Sequence, residues 1–248
     1  LYFQKAIVEG SMGLLFQCFM WDDLAKSLEG EEKKEAQMML DLMTTVAKTY
    51  PAEMGILAVN QGLQVLGGYG YTEDFPLEQM ARDVRIMSIY EGTTGIHGLT
   101  LLGRGIPANN GAALQTLGKL VYADIAVAKG HESIAKYAGM LEKELENLTK
   151  VTMHKLGFAM KGEIEVFLAD STLYMELFGL ITVAWQWLKQ GHVAAAALAK
   201  GGLSAEEEAF YQDKIHTMKF FYHYEVPKAL GLSTRLMDEE VLTIFDHK

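Results

Sequence analysis

The sequence predicts an all-α chain, and three features carry that prediction. Apolar residues recur at spacings of three and four over most of its length. Only four prolines occur in 248 residues, and the remaining composition favours helices. No series of alternating apolar and polar runs reads as the strands of a β-domain.

Composition sets further bounds. Half of the residues are apolar, enough for a substantial core in one large or two small domains. A net charge of −10 argues against nucleic acid, whose binding depends on clustered Lys and Arg. The single cysteine, Cys18, excludes an internal disulfide framework, and its apolar neighbours place it in the core. No signal or transit peptide pattern is visible.

Residues 1–4, Leu-Tyr-Phe-Gln, resemble the end of a tobacco-etch-virus protease site and are set aside as an expression-tag remnant. Residues 5–28 read as a helix whose apolar face comprises Ile7, Val8, Met12, Leu15, Phe16, Phe19 and Met20. Gly30 separates it from a helix over 31–48, where Ala36, Met39, Leu40, Met43 and Ala47 keep helical spacing. Pro51 predicts a fresh helix from there to Leu66. Helices follow at about 76–89, with Pro76 in the first turn behind Asp74, and at about 94–103.

Gly103-Arg104-Gly105-Ile106-Pro107, reinforced by Asn109-Asn110-Gly111, marks a boundary between residues 5–104 and 105–248. In the second unit, Ile134, Ala138, Leu141, Leu145, Leu148 and Thr152 form a packing seam on a helix over 131–160. Residues 163–188 are apolar on nearly all sides. A membrane span is one reading, but Asp170 and Glu176 interrupt the segment and the uncharged run from Leu177 to Leu188 is 12 residues long. A span needs roughly 20, so a buried central bundle helix is preferred. Ser204-Ala205-Glu206-Glu207 has the pattern of a capping box opening a helix to about Val226. Pro227 and Gly231 then break the chain before a short helix near 238–245.

Metal chemistry finds little support. His131-Glu132 lacks the second histidine of H-E-x-x-H, and only Asp213-x-x-His216 approximates a di-iron ligand pair. No metal site is predicted.

The most informative stretch runs from Gln64 to His97, centred on Tyr90-Glu91-Gly92-Thr93. An apolar run (Ile86, Met87, Ile89, Tyr90) delivers one carboxylate to a glycine break. Such a group can cap a helix. It can also face an enclosed apolar cavity while its neighbours stay packed, where burial would raise its pKa toward that of a general base. Gly67-Gly68 likewise reads either as a helix stop or as a ligand contact; it is no dinucleotide fingerprint, since no strand precedes it. Arg82-Asp83 reads as a structural ion pair or capping arrangement.

Gln64, Gly67-Gly68, Gly70-Tyr71, Pro76, Arg82-Asp83 and Ile89-Tyr90-Glu91-Gly92-Thr93 stand in one ungapped order. This order closely resembles the C-terminal catalytic motif of the flavin-dependent acyl-CoA dehydrogenases. The resemblance implies that Glu91 removes the α-proton of an acyl-CoA while the β-hydrogen leaves as hydride to FAD, giving a trans-2-enoyl-CoA. An electron-transfer flavoprotein is the implied electron acceptor. Gln64, Gly67 and Gly68 would approach the adenosine diphosphate part of FAD, commonly from a neighbouring subunit, which implies a homo-oligomer. Thr93 would contact FAD beside the base. Gly95 departs from the glutamine that many relatives carry there.

By the same resemblance, residues 5–104 are the last part of the family's C-terminal four-helix domain, without its first helix. Residues 105–248 resemble the extra helical domain of long-form bacterial members, cytoplasmic enzymes. Because the family holds FAD between a β-domain, this helical domain and a neighbouring subunit, the chain alone is expected to retain no flavin and to be inactive. The competing reading is a non-catalytic helical module for oligomerisation or partner docking.

Overall fold

The computed structural model describes residues 1–244, and among them the chain is all-α with no strand. Ten helices follow in order: α1 (Tyr2–Ser27), α2 (Gly30–Leu66), α3 (Leu77–Arg85), α4 (Thr94–Thr100), α5 (Ala108–Lys129), α6 (Glu132–Met160), α7 (Ile164–Leu168), α8 (Ser171–Lys200), α9 (Ala205–Tyr224) and α10 (Lys228–Leu236). Of the residues set aside at the start, Tyr2, Phe3 and Gln4 open α1, and the Gln4 amide donates to the Ala58 carbonyl at 2.9 Å.

Helix α8 is the axis of the structure. Every residue from Leu177 to Leu188 is buried, and α8 touches α1, α2, α4, α5, α6, α9 and α10. The apolar run is therefore satisfied by protein neighbours, as the preferred reading expects. No helix of the described residues is long and apolar enough to cross a membrane. Two buried polar tips find partners: Trp185 Nε1 donates to Asp124 at 2.6 Å and the Tyr222 hydroxyl to the Ala184 carbonyl at 2.9 Å. Helix α6 lays its predicted seam against this axis, with all six seam residues buried. Ser204 and Glu207 form the expected reciprocal capping box of α9.

Several expectations are corrected. Pro51 does not start a helix; α2 runs through it. An internal proline costs about 3 kcal/mol, but both flanks of α2 are packed, through Met39, Met43, Val46 and Tyr50 before it and Ala58 and Gly62 after. Burial on both sides holds the helix in one piece.

Helix α1 buries a different face from the one its large apolar residues mark. Ala6, Ile7, Gly10, Ser11, Leu14, Gln17, Cys18 and Trp21 are inside, whereas Val8, Met12, Phe16, Phe19 and Met20 are exposed. The reason is close approach. A Cβ on Gly10 would lie 2.6 Å from Trp187 Nε1, and one on Gly13 would lie 3.2 Å from Gln186 Cβ. At these two positions α1 approaches α8 too closely for a larger side chain.

The apolar segment 163–188 is split at Asp170 into α7 and α8. Asp170 is buried and takes Arg235 Nη2 at 3.3 Å. Helix α5 occupies a stretch to which the pattern reading assigns no element, entering through left-handed Asn109, Asn110 and Gly111. Pro227 precedes α10 at once instead of ending the helical region. Residues 238–244 are not helical, and Phe245 lies outside the described residues. Arg82 pairs with Glu78 one turn back, at 3.0 Å, and not with its neighbour Asp83.

Candidate functional site

The Tyr90–Thr93 loop connects a 3-10 turn (Ile86–Ser88) to α4. Glu91 has φ 56°, the left-handed region that non-glycine residues rarely adopt. Gly92 follows at φ 92°, and a side chain there would collide with the His97 ring, whose Nε2 would lie 2.7 Å from its Cβ. The loop is held from two sides. The His97 ring donates from Nε2 to the Glu91 carbonyl at 3.0 Å. The Lys48 ammonium, on α2, donates to the Gly92 carbonyl.

Thr93 caps α4, its Oγ1 accepting the Ile96 N–H at 3.5 Å. Thr94 donates from its hydroxyl to the Glu53 carboxylate of α2. Helix α4 in turn rests on α8. A Cβ on Gly98 would lie 2.8 Å from the Ser171 carbonyl oxygen and 2.9 Å from its carbon. Backbone meets backbone there.

The Glu91 carboxylate itself is exposed, and among the described residues no hydrogen bond or ion pair occupies it. The expectation of packed neighbours is corrected as well. Ile86, Met87, Ile89 and Tyr90 are all between 42% and 49% exposed, so the motif presents an open apolar strip. An apolar groove of about 1060 Å³ does lie between α5 and α6, lined by Leu114, Tyr122, Met153 and Leu156, but no motif residue reaches it.

Gln64, Gly67 and Gly68 sit at the C-terminal end of α2 and are exposed. Gly67 has φ 59°, and a Cβ on Gly67 or Gly68 would meet nothing within 4 Å. Gln64 lies sixteen residues along α2 from Lys48, a separation of about 24 Å at 1.5 Å per residue. Glu53, which takes the Thr94 hydroxyl, is eleven residues or about 16 Å from Gln64, so Gln64 stands on the order of 16–24 Å along α2 from the residues that hold the Glu91–Thr93 loop. Gly95 offers no side chain to the site.

Lys48, Glu53 and His97 escape the pattern reading. Lys48 and Glu53 reach the loop from more than forty residues away in sequence, and no local spacing reveals such pairs. Among the described residues no cluster of three metal-ligating side chains exists.

Residues 22–106 match the family model described as acyl-CoA dehydrogenase, C-terminal domain, and residues 115–244 match that described as acetyl-CoA dehydrogenase C-terminal like. The chain belongs to the acyl-CoA dehydrogenase family. It is 29% identical over 251 aligned residues to the broad-specificity linear acyl-CoA dehydrogenase FadE5 of Mycobacterium tuberculosis, covering 98% of this chain and 40% of that protein. It is 28% identical to the 3-methylmercaptopropionyl-CoA dehydrogenase of Ruegeria pomeroyi, covering 94% of this chain and 39% of that protein.

The fold is shared with Caenorhabditis elegans ACDH-11, solved in complex with C11-CoA (TM-score 0.66, 22% identity, 98% of this chain and 35% of that one). It is also shared with a Bacillus anthracis acyl-CoA dehydrogenase solved with FAD (TM-score 0.63, 17% identity, 95% of this chain and 40% of that one). The chain spans about 40% of the length of the curated relatives it matches.

FAD is the cofactor the family implies, and the surface at the end of α2 is compatible with it. The space beside Gly67 and Gly68 is open to their main chain, and the Gln64 amide stands exposed next to it. Thr93 is exposed two residues from Glu91.

Proposed function

We propose that this chain is the C-terminal portion of an FAD-dependent acyl-CoA dehydrogenase in which Glu91 is the general base. The observation that carries the reading is the Glu91 carboxylate. It has no partner among the described residues, yet it projects from a loop pinned through two consecutive carbonyls. A group engaged only in capping or ion pairing would spend its oxygens on this chain.

Glu91 takes the α-proton of the acyl thioester, an act that requires a carboxylate both unengaged and fixed in place. Bound FAD would supply the acceptor for the β-hydrogen, so that the product is a trans-2-enoyl-CoA. Thr93 holds the flavin beside the base. Gln64, Gly67 and Gly68 would hold the adenosine diphosphate end, and the separation of Gln64 along α2 from Glu53 and Lys48, which hold the loop, about 16–24 Å, accords with service to a neighbouring subunit's cofactor. The open Ile86–Tyr90 strip accords with walls contributed by other parts of the enzyme. An electron-transfer flavoprotein is the proposed acceptor, and the cytoplasm the proposed location.

A second reading, a non-catalytic assembly module, draws on the exposed apolar stripe of α1 formed by Val8, Met12, Phe16 and Phe19. The flavin spectrum of the full-length protein separates the two. Anaerobic addition of a panel of acyl-CoAs is expected to bleach it with at least one chain length. A full-length protein without flavin, or one that no acyl-CoA bleaches, would contradict the dehydrogenase reading.

A further inference from the structure

We infer that Lys48 and His97 are positioning residues for Glu91, and that the first turn of α8 is the seat that keeps His97 in register. The second helical unit thereby takes part in aligning the catalytic loop. This rests on Glu91 being the base.

The loop has reason to need holding. A non-glycine residue at φ 56° occupies a conformation the chain relaxes away from unless its surroundings fix it. Here two successive carbonyls are each fixed by a side chain from outside the loop. Lys48 takes the Gly92 oxygen from α2, and His97 takes the Glu91 oxygen from α4. The His97 ring lies directly against Gly92. Displacing either donor lets the Glu91 peptide rotate, and with it the direction of the carboxylate.

His97 is only as well placed as α4, a helix of seven residues. Its next residue, Gly98, is buried against the main chain of Ser171. A main-chain contact has no rotamer with which to yield. Ser171 is 4% exposed at the start of α8, and the preceding Asp170 is tied to Arg235 of α10. A continuous set of contacts thus runs from α10 and α8 through Gly98 and His97 to Glu91. Misplacing a reacting group by about 1 Å can cost on the order of 100-fold in rate.

The test uses the full-length holoenzyme with Lys48→Ala, Lys48→Arg, His97→Ala, His97→Gln and Gly98→Ala. Lys48→Ala, His97→Ala and Gly98→Ala are expected to lower kcat on the order of tenfold or more, with acyl-CoA KM and FAD content little changed. Lys48→Arg and His97→Gln keep a donor and should recover most of that loss. Independently of turnover, hydrogen–deuterium exchange of residues 90–94 should speed up in the three disruptive variants and stay near wild type in the two conservative ones.

Unchanged kcat and exchange in the disruptive variants would overturn the inference. So would a loss of kcat that the conservative variants share fully. Should Gly98→Ala not fold, Arg235→Gln, which loosens Asp170 at the start of α8, takes its place: unchanged exchange of residues 90–94 in that variant would overturn the seat on α8. The base assignment fails separately: if Glu91→Gln keeps its turnover, Glu91 is not the base, whatever the exchange rates show.

Discussion

The indole N–H of Trp187 donates to the main-chain carbonyl of Ala6 at 2.9 Å, with both residues fully buried. That bond joins α8 to α1, and so joins the two halves that the sequence divides at Gly105. The buried apolar residues of both halves form one contiguous core. Unfolding of this chain is therefore expected to be a single cooperative transition. Trp187→Phe should cost about 1–2 kcal/mol through the lost bond and the space left. Gly10→Ala, which forces a methyl group against Trp187 and Val183, should cost about 1–3 kcal/mol. Denaturant unfolding followed by tryptophan fluorescence and by circular dichroism checks this; two separated transitions would contradict it.

The Asp170–Arg235 pair offers a sharper contrast. Asp170 is 5% exposed, and removing Arg235 leaves it with the buried Lys155 as its cationic neighbour. Arg235→Ala should destabilise by about 1–3 kcal/mol, since Arg235 is one-third exposed and Lys155 remains. Lys34→Ala breaks the exposed pair with Glu31 and should leave the denaturation midpoint unmoved.

Cys18 is predicted to be inert. Burial pushes its thiol up to about 11 from an ordinary value of 9.0, so at pH 8 on the order of one thiol in a thousand is thiolate. Alkylation by iodoacetamide at pH 8 should be negligible in the native protein and rapid after denaturation. The sign of the linked stability follows. Between pH 9.0 and about 11 the folded state keeps a proton that the unfolded state has released. The Cys18 contribution to stability therefore falls as pH rises through that window.

How much of this was legible in the sequence depended on whether the determining forces were local. The α6 seam could be read because a strict alternation of four and three repeats over many turns, and the α9 cap because its two partners are three residues apart. The burial of α8 followed from an apolar surface too wide for any surface helix. Pro51 misleads because local propensity predicts a break that packing on both flanks overrides. The α1 face misleads for a related reason, since hydrophobicity points to Phe16 and Phe19 whereas contact with α8 selects Gly10 and Gly13. At the site, the motif from Gln64 to Thr93 located the loop. Its left-handed Glu91, its donors Lys48 and His97 and its seat on Ser171 arise from tertiary contacts that no spacing encodes.

The chain by itself should not hold FAD. Gln64 lies about 16–24 Å along α2 from the residues that hold the Glu91–Thr93 loop, and Gln64, Gly67, Gly68 and Thr93 are all exposed, so only scattered contacts are available to one flavin. Purified and desalted, this 248-residue chain is expected to be helical and colourless. A yellow sample with near-stoichiometric FAD would show that the helical units alone make a cofactor site.

The role of Glu91 is most directly tested by Glu91→Gln in the full-length enzyme, with FAD content, acyl-CoA binding and turnover measured on one preparation. The substitution keeps the size of the side chain but removes its ability to take a proton. The account predicts normal flavin content and substrate affinity with nearly all turnover lost. Turnover within a few-fold of wild type would contradict it.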